Sequence, residues 1–268
     1  MNPDQAGGVF TAARQEFARW SARLWRPLGE IATGLARPMP GEHVLDACCG
    51  AGASAIPAAL AVGPSGAVDA VDVAEGLLAE GRREAAALAV PQLRFLQADV
   101  LTWDGGPYDL VQCCYGVFFF PDMDAGAARL IGLLRPGGRF AVTTWLAGGM
   151  ADLVPIGRAA AAPERPELAE APRDPGPSAR IDTPDKLREW LSTLGLHGVT
   201  VHLARFTQPL QPDDWWTFLL GSSMRGFVAG LPDDALHRVR SRFLDALARD
   251  GRDTLDASTI VGIGHRPA

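Results

Sequence analysis

Short apolar strands alternate with helices from His43 to Trp145, and this alternation limits the possible folds more than any other feature of the chain. The strand segments are HVLDA, AVDAVD, LRFLQAD, YDLVQCCY and RFAVTTW, and segments with helical spacing lie between them. Strands that alternate with helices in this way build βαβ units around a parallel sheet. The sequence therefore predicts an α/β fold with a doubly wound, mostly parallel sheet, and its 268 residues predict one domain with additions.

Helical patterns precede and follow this core. Residues 1–38 carry apolar side chains at helical spacing until Pro38 and Pro40, which predicts one or two amphipathic helices ahead of the sheet. After the core, Thr183 is the predicted N-cap of a helix that ends near Gly195. We therefore expect helical additions on both sides of the sheet.

The remaining segments predict loops, strands and an inserted helical region. Residues 134–139 predict a tight turn that leads into the fifth strand, and residues 161–180 contain five prolines, which predicts a surface loop. Residues 199–206 and 254–265 predict strands, whereas residues 212–249 have helical spacing. The helices at 212–249 therefore form an insertion before the last strand.

Charge and hydropathy argue against two classes of partner. The chain has 25 Lys and Arg against 31 Asp and Glu, a net charge of −6, so it lacks the excess positive charge that attracts nucleic acid or acidic lipid heads. It also lacks a run of about 18 apolar residues and a secretory leader pattern. We expect a cytoplasmic protein that binds neither nucleic acid nor membranes, and a homo-oligomer stays open.

The four cysteines form two adjacent pairs, Cys48–Cys49 and Cys113–Cys114. This pattern differs from the scattered even set of a disulfide scaffold, so reduced thiols are expected. Neighbouring residues of an extended strand point to opposite faces, which prevents four thiolates from converging on a tetrahedral metal. No metal site is predicted.

A glycine-rich loop follows the first predicted strand. The strand ends at Asp46, and the loop CCGAG leads into a helix that begins near Ser54. Glycines let a backbone turn sharply and approach a ligand, below a helix amino terminus whose free N–H groups favour negative charge. Asp72 ends the second strand about 20 residues later, where a carboxylate accepts both hydroxyls of a ribose. The pattern predicts a site for a nucleoside-containing cofactor.

Two cofactors compete for this pattern, NAD and S-adenosyl-L-methionine. The dinucleotide fingerprint G-x-G-x-x-G has Ala55 in its last place, and Asp46 ahead of the loop would repel a pyrophosphate and attract an ammonium group. Asp99 ends the third strand, where it accepts from an adenine amino group while Val100 and Leu77 cover the ring. A cofactor with an amino-acid end and an adenosine end explains these features, so S-adenosyl-L-methionine is favoured, with S-adenosyl-L-homocysteine as its product.

At these motifs the sequence resembles the class I methyltransferase family, in particular the bacterial small-molecule branch near the ubiquinone and menaquinone C-methyltransferases. The motifs are HVLDACCGAGASA, VDAVDVAEGLL, LQADV, YDLVQCCYGVFFFPDMDAGAARLIGLLRPGGRFAVTTW and, more weakly, FARWSARLWRPLG. The resemblance covers residues 10–146. It implies a Rossmann-like sheet of seven strands in the order 3-2-1-4-5-7-6, with the last strand antiparallel.

The resemblance also implies roles for single residues. The methionine part of the cofactor would contact Asp46 and the two loop glycines, the ribose Asp72, and the adenine Asp99 and Val100, whereas Cys114 or Tyr115 would line the methyl end. Cys48 stands where the family usually has glycine. The predicted cofactor-binding set is Asp46, Ala47, Cys48, Gly50, Gly52, Asp72, Val73, Leu77, Asp99, Val100, Cys114 and Tyr115.

The predicted domain then has three parts with different tasks. Residues 1–40 form an amino-terminal helical lid, residues 41–146 the S-adenosylmethionine-binding core, and residues 147–268 the substrate-side loop, the insertion helices and the closing strands. Ligands in such sheets bind beyond the carboxyl ends of the strands. The predicted substrate-binding residues are Phe17, Trp20, Trp145, Trp215, Trp216, Met224, Arg225 and Phe227. Aromatic residues at helical spacing are also typical of a core, so that reading stays open.

The catalytic group is not predicted, and Tyr115, Arg225 and His237 are the candidates. The overall prediction is an S-adenosylmethionine-dependent methyltransferase that acts on a small molecule, such as a bacterial secondary metabolite or a quinone-like acceptor. Two alternatives stay open: an enzyme of the cyclase type that binds S-adenosylmethionine without methylating, and an NAD-dependent oxidoreductase.

Overall fold

A seven-stranded sheet forms the centre of the computed structural model, which describes residues 3–170 and 176–268. The strands in this part of the chain are β1 (His43–Ala47), β2 (Ala67–Asp72), β3 (Leu93–Gln97), β4 (Tyr108–Cys114), β5 (Leu134–Trp145), β6 (His197–Ala204), β7 (Thr207–Pro209), β8 (Thr254–Asp256) and β9 (Thr259–His265). The sheet order is β3-β2-β1-β4-β5-β9-β6, and β9 runs antiparallel to both of its neighbours. This order confirms the predicted topology, with β9 as the seventh strand of the sheet. The separate ribbon of β7 and β8 was not predicted.

Helices cover both faces of the sheet and one of its ends. They are α1 (Pro3–Arg19), α2 (Arg26–Ala36), α3 (Ala55–Val62), α4 (Glu75–Ala87), α5 (Met123–Gly132), α6 (Leu153–Ala161), α7 (Glu167–Glu170), α8 (Pro184–Thr193), α9 (Pro212–Leu220) and α10 (Asp233–Arg249). A π-helical turn, Ser21–Trp25, joins α1 to α2. The helices ahead of the sheet and the inserted helices α9 and α10 agree with the predicted pattern.

Three apolar clusters hold these layers together. Alternate residues of the strands point to opposite faces, and one face packs against α5 and α8 through Leu130 and Leu187. The other face packs against α3 and α4 through Ala59 and Leu78. A third cluster lies beyond the sheet, where α6, α9 and α10 meet the segment before α2, and Phe243 is buried in it. Full burial of one large apolar side chain stabilises a fold by roughly 1.5–3 kcal/mol, so each cluster anchors its layer.

Side-chain caps set the starts of two helices, of which the cap at Thr183 was predicted. The Thr183 hydroxyl accepts a hydrogen bond from the Lys186 backbone N–H at 3.3 Å, and Pro184 occupies the first position of α8. Asp122 caps α5 in the same way, by accepting from the N–H groups of Asp124 and Ala125 at 3.0 Å. These caps fix where the helices enter the packed layers.

Two predicted loops differ from the structure. Within residues 161–180, α7 and a 3₁₀ turn, Pro177–Arg180, occupy much of the described part, and Leu168 packs against the third cluster. Proline content misled the prediction, because Pro163 and Pro166 precede α7 and Pro177 begins the 3₁₀ turn, positions that a proline does not disrupt. β5 begins at Leu134 rather than Arg139, because Leu134 already pairs with Tyr108 of β4. Residues 135–138 are not paired with β4, and regular pairing resumes at Arg139. In the described part of the chain, no helix is long and apolar enough to cross a membrane.

Candidate active site

The glycine loop turns the chain from β1 into α3 with three residues in the left-handed backbone region. Cys48 has φ 58°, Gly50 φ 54° and Gly52 φ 87°. Glycine adopts this region without strain, whereas a side chain costs about 1–2 kcal/mol there. Cys48 therefore keeps the turn that a glycine would make, and its departure from the family pattern leaves the loop geometry intact.

Asp72, at the end of β2, is fixed by the loop itself. Its Oδ2 accepts a hydrogen bond from Gly50 N–H at 2.8 Å, and its Oδ1 accepts from Ala74 N–H at 2.8 Å. Burial raises the pKa of the Asp72 carboxyl, and these backbone donors oppose the rise. Each carboxylate oxygen has two acceptor sites, so one site on each oxygen stays available to a ligand with two neighbouring hydroxyls.

Asp46 lies beneath the loop and is fully buried, with 0% of its surface exposed. The Ser54 hydroxyl donates to its Oδ2 at 2.7 Å, and its Oδ1 has no hydrogen-bond partner among the described residues. Burial raises the pKa of the Asp46 carboxyl to about 7. The carboxyl is thus a buried polar group with acceptor capacity directly below the loop backbone.

The end of β4 lies beside this loop. Tyr115 follows β4 with φ 58°, and its ring stacks on Trp145 with a centroid distance of 3.9 Å and an interplanar angle of 19°. Its hydroxyl donates to Thr259 Oγ1 at 3.1 Å. A side chain at Gly116 would place its Cβ 2.6 Å from Cys48 Cβ and 2.8 Å from Cys113 Sγ. The tips of β1 and β4 are therefore in close contact, as the predicted strand order requires.

All four cysteines carry free thiols. Burial raises the pKa of Cys49, and it raises the pKa of Cys114 to about 12. A hydrogen bond with Cys48, together with burial, raises the pKa of Cys113. Protonated thiols are poor metal ligands. Among the residues that the structure describes, no three His, Cys, Asp or Glu side chains are grouped to hold a metal ion.

A cavity of about 1160 Å³ extends from the glycine loop to the helices that follow β5. One end is formed by residues 48–51 with Asp72, and the other by α6 and residues 176–182. Its larger apolar and aromatic lining residues are Phe10, Phe17, Trp25, Leu77, Tyr115, Phe118, Phe119, Trp145, Met150, Leu168, Phe218 and Met224. The cavity wall is mostly apolar.

The structure brings part of the predicted site to this cavity. The predicted residues that line it are Phe17, Cys48, Gly50, Asp72, Leu77, Cys114, Tyr115, Trp145 and Met224. Phe17 stacks on Trp25 at 4.8 Å, so the amino-terminal helix supplies aromatic side chains to the cavity wall.

Several predicted substrate residues are not among the described residues that border the cavity, and their substrate role stays a prediction. Trp20 and Trp215 have only 1% and 3% of their surface exposed and belong to the third apolar cluster. Trp216 also packs against that cluster, and the Phe227 ring lies 5.9 Å from the Arg158 guanidinium carbon. None of the four borders the described cavity wall.

Two of the three catalytic candidates, Arg225 and His237, are also not among the described residues that line the cavity. The Arg225 guanidinium donates to Glu16 Oε2 and to the Leu220 carbonyl, each at 3.1 Å, and this ion pair ties the inserted segment to α1. His237 is an exposed residue of α10. Tyr115 does line the cavity, but burial raises the pKa of its hydroxyl, which is already donated to Thr259.

Six predicted cofactor residues do not border the described cavity: Asp46, Ala47, Gly52, Val73, Asp99 and Val100. Ala47 and Val100 are buried in the sheet cluster, and Asp99 Oδ1 accepts from Leu101 N–H at 2.9 Å. A side chain at Gly52 would meet the Phe95 ring at 2.6 Å, so this glycine serves packing. Roles for these residues toward a cofactor stay predictions.

Some lining residues were missed by the sequence reasoning. Phe10, Trp25, Asp152, Arg158 and Asp182 border the cavity. Phe10 and Trp25 lie in the predicted amino-terminal helices, and α6 has helical spacing in LVPIGRAAA, which was a usable signal. Nothing in the local sequence indicates that these elements converge on the strand ends.

The sheet order, the glycine loop after β1 and the carboxylate that ends β2 define a class I methyltransferase fold. Residues 20–146 match the model of the ubiE/COQ5 methyltransferase family. Aklanonic acid methyltransferase DauC of Streptomyces sp. strain C5 is 33% identical over 142 residues, which cover 52% of this chain and 64% of the relative. Nocamycin O-methyltransferase of Saccharothrix syringae is 35% identical over 142 residues, which cover 52% and 48%. The chain thus spans about half to two thirds of the length of these curated relatives.

Solved structures show the same fold over most of the chain. The YcgJ protein of Bacillus subtilis has a TM-score of 0.58 at 17% identity, with 90% of this chain and 98% of that chain covered. The [4+2]-cyclase SpnF has a TM-score of 0.54 at 15% identity, with 89% and 81% covered. At these identities the likeness shows the fold alone.

Proposed function

We propose that this protein is an S-adenosylmethionine-dependent methyltransferase that acts on a small molecule. The observation that carries this proposal is a single cavity of about 1160 Å³ with a cofactor-type end at the glycine loop and an apolar, aromatic end beyond it. Ligand pockets are typically about 300–1,000 Å³, so the volume suits a cofactor and an acceptor side by side.

The loop end fits the cofactor in shape and hydrogen-bonding capacity. Asp72 keeps one acceptor site on each oxygen, which suits the two hydroxyls of a ribose. Leu77 lines the same end and offers an apolar surface to an adenine ring. Backbone groups of residues 48–51 border the cavity without bulky side chains, which suits the amino-acid part of the cofactor.

When bound, S-adenosylmethionine supplies an electrophilic methyl group on its sulfonium sulfur. The chain's own contribution is to orient the acceptor and to exclude water. Cys114 ends β4, Tyr115 and Gly116 follow it, and all three border the cavity beside the loop, where the methyl end would lie. The stacked rings of Tyr115 and Trp145 continue the wall away from the loop. Residues 1–40 act as a lid, with Phe10 and Phe17 facing the cavity.

The two curated relatives support an acceptor from secondary metabolism, since their names assign aklanonic acid and nocamycin chemistry to them. The inserted helices and α6 then form the acceptor side, within one domain that also contains the S-adenosylmethionine-binding core. This division of tasks assigns residues 41–146 to the cofactor and residues 147–268 to the acceptor.

Thermal unfolding in the presence of either S-adenosylhomocysteine or NAD tests the proposal. A ligand that binds only the folded state raises Tm by mass action, so S-adenosylhomocysteine at about 1 mM is expected to raise Tm while NAD at the same concentration does not. A rise with NAD, or none with S-adenosylhomocysteine, would refute the cofactor assignment. Transfer of labelled methyl to an acceptor distinguishes a methyltransferase from a cyclase that only binds the cofactor.

A further inference from the structure

Two of the four thiols meet where the glycine loop touches the tip of β4. A Cβ atom placed on Gly116 would lie 2.8 Å from Cys113 Sγ and 2.9 Å from Cys48 Sγ. Sulfur atoms that both lie this close to one point are neighbours, and the missing side chain of Gly116 leaves them room to face each other. A hydrogen bond between the two thiols is the main cause that raises the pKa of Cys113. Cys48 and Cys113 therefore form one side-chain cluster.

The backbones of these two cysteines are also close enough for a covalent link. Ala47 pairs with Cys113 in the parallel ladder of β1 and β4, and Cys48 follows Ala47 directly. Adjacent strands lie about 4.8 Å apart, and a disulfide joins residues whose Cα atoms are about 4.4–6.8 Å apart. Both side chains contact the apolar cluster on the face of the sheet that packs against α5 and α8. A disulfide between them needs no rearrangement of the sheet.

The other two thiols are directed to different partners. Cys49 belongs to the apolar cluster on the opposite face of the sheet, and its Sγ donates to the Gly50 carbonyl at 3.7 Å. Cys114 packs against that same cluster, and its Sγ lies 3.6 Å from Thr143 Oγ1. Alternate residues of a strand point to opposite faces, which separates Cys114 from the cluster of Cys113. Cys49 and Cys114 are therefore a matched control pair.

The two clustered thiols differ in their access to the cavity. Cys48 is partly buried and borders the loop end of the cavity, whereas Cys113 is buried with 0% of its surface exposed. A small oxidant in the cavity therefore reaches Cys48 first. A sulfenic acid formed on one thiol condenses with a neighbouring thiol to a disulfide, and Cys113 is that neighbour.

We infer that Cys48 and Cys113 form a reversible disulfide when hydrogen peroxide enters the cavity, and that this disulfide weakens binding at the cofactor end. The Cys48 sulfur attacks the peroxide, whose O–O bond breaks, and the products are a sulfenic acid and water. The Cys113 sulfur then attacks the Cys48 sulfur, so that the S–S bond forms, the S–O bond breaks, and the Cys113 proton leaves with the hydroxyl group as a second water. Two electrons pass from the two sulfurs to the peroxide. A small dithiol reverses the step by exchange and is itself oxidised to a disulfide.

The effect on the cofactor rests on the proposed function. Bonded sulfurs are about 2.05 Å apart, closer than two separate thiols approach, so one of the two residues has to move. Cys113 is held in β4 between β1 and β5, whereas Cys48 lies in the loop, so the loop moves. Gly50 of this loop donates the 2.8 Å hydrogen bond that fixes Asp72. Displacement of the loop disturbs this hydrogen bond, and with it the carboxylate assigned to the ribose.

Thiol counts in two matched double variants test the disulfide. The variant with Cys49→Ala and Cys114→Ala retains the proposed pair, and the variant with Cys48→Gly and Cys113→Ala retains the other two thiols. Glycine suits the backbone at position 48, where φ is 58°. After treatment with hydrogen peroxide and alkylation of the remaining thiols, mass spectrometry is expected to show the loss of two hydrogen atoms in the first variant and two alkylated thiols in the second. Dithiothreitol is expected to restore both thiols of the first variant.

Two outcomes would overturn the disulfide. One is equal loss of thiols in the two double variants, or no loss in the variant that retains Cys48 and Cys113. The other is a cross-linked peptide from the oxidised, unchanged protein whose fragments join any other pair of cysteines. This second measurement decides the question even if a double variant does not fold.

Calorimetric titration with S-adenosylhomocysteine separates the inference from the proposed function. If the reduced protein does not bind this ligand, the proposed function fails, and the thiol counts still decide whether the disulfide forms. If it binds, the oxidised protein is expected to bind about tenfold more weakly, the scale of one lost hydrogen bond, and dithiothreitol is expected to restore the affinity. Cys48→Gly is the control and is expected to show the same affinity before and after peroxide. Equal affinities of the reduced and oxidised unchanged protein would contradict the effect on the cofactor end.

Discussion

The two ends of the cavity are built in different ways. At the loop end, backbone conformation and one carboxylate make the site, since Gly50 N–H and Ala74 N–H fix Asp72. At the acceptor end, side chains from α1, α6, α9 and residues 176–182 converge from distant parts of the chain. A site formed by backbone groups of one loop can be recognised from a local sequence motif. A pocket formed by side chains of several helices depends on how those helices pack. The loop end lies within residues 20–146, the part of the chain that matches the family model, whereas α6, α9 and residues 176–182 lie outside that match.

The packing of α2 against the chain that follows the glycine loop carries the largest predicted effect. A side chain at Gly29 of α2 would overlap the Ala53 carbonyl and lie 2.9 Å from Ser54 N, both in the backbone of the glycine loop. Gly29→Ala is expected to lower the free energy of unfolding by about 3 kcal/mol, because the backbone has to move. The matched control Gly34→Ala lies on the same helix with open space around it and is expected to stabilise by about 0.5–1 kcal/mol. Urea unfolding measures both, and equal stabilities would show that α2 does not pack on the loop.

Two aspartates of β2, Asp72 and Asp69, test the role of the loop end in cofactor binding. Asp72→Asn is expected to weaken S-adenosylhomocysteine binding by roughly 2 kcal/mol, about thirtyfold, because charge-assisted hydrogen bonds are lost. Asp69 is the matched control, since its carboxylate bonds to Arg94 and Tyr108 away from the cavity. Asp69→Asn is expected to lower stability and to change the affinity by less than about 0.5 kcal/mol. Calorimetric titration measures both affinities, and similar losses in the two variants would remove Asp72 from the site.

Asp46 makes the stability of the loop end depend on pH. Burial raises the pKa of Asp46 from 3.8 to about 7, so between these values the folded protein holds a proton that the unfolded chain releases. The free energy of unfolding therefore contains a term that falls as pH rises from about 4 to about 7, with a slope of roughly 1 kcal/mol per pH unit. Asp46→Asn is expected to lack this fall, as measured by urea unfolding at several pH values. The same slope in the unchanged protein and in Asp46→Asn would contradict the raised pKa of the buried Asp46 carboxyl.

The ion pair between Glu16 and Arg225 tests whether α1 is held against the inserted segment. Arg225 Nη1 lies 3.1 Å from Glu16 Oε2, and both side chains are about a quarter exposed. A double-mutant cycle with Glu16→Gln and Arg225→Met is expected to give a coupling energy of about 0.5 kcal/mol. The exposed pair of Asp185 and Arg188 is the control and is expected to give less. A coupling energy no larger than that of the control pair would mean that the Glu16–Arg225 pair does not hold α1 against the inserted segment.

The sequence predicted the loop end better than the acceptor end for physical reasons. Gly50, Asp72 and Leu77 belong to motifs with fixed spacing to strand ends, so their position follows from the sheet order. Trp215 and Phe218 lie one turn apart on α9 and are both buried in the third cluster, yet only Phe218 is among the described residues that border the cavity. Helical spacing indicates an apolar face and gives no information about which of its residues reaches a cavity. A substrate role for Trp215 stays a prediction.

The left-handed residues show a second limit of sequence reasoning. Cys48 and Tyr115 both have positive φ, although neither is glycine. At Cys48 the expected glycine of the resembled pattern is absent, which left the backbone angle there open, and the structure gives it φ 58°. At Tyr115 no local residue type indicated it, and the conformation follows from packing, since the ring lies on Trp145 and the hydroxyl bonds to Thr259.

A crystal structure with S-adenosylhomocysteine tests the central claim most directly. The account predicts the ribose hydroxyls within about 3 Å of both Asp72 carboxylate oxygens. It also predicts the homocysteine end along residues 48–51, and the space between Trp145 and α6 unfilled by this ligand. A complex in which the ribose does not contact Asp72, or in which the ligand fills the space beside Arg158, would contradict the two-ended cavity.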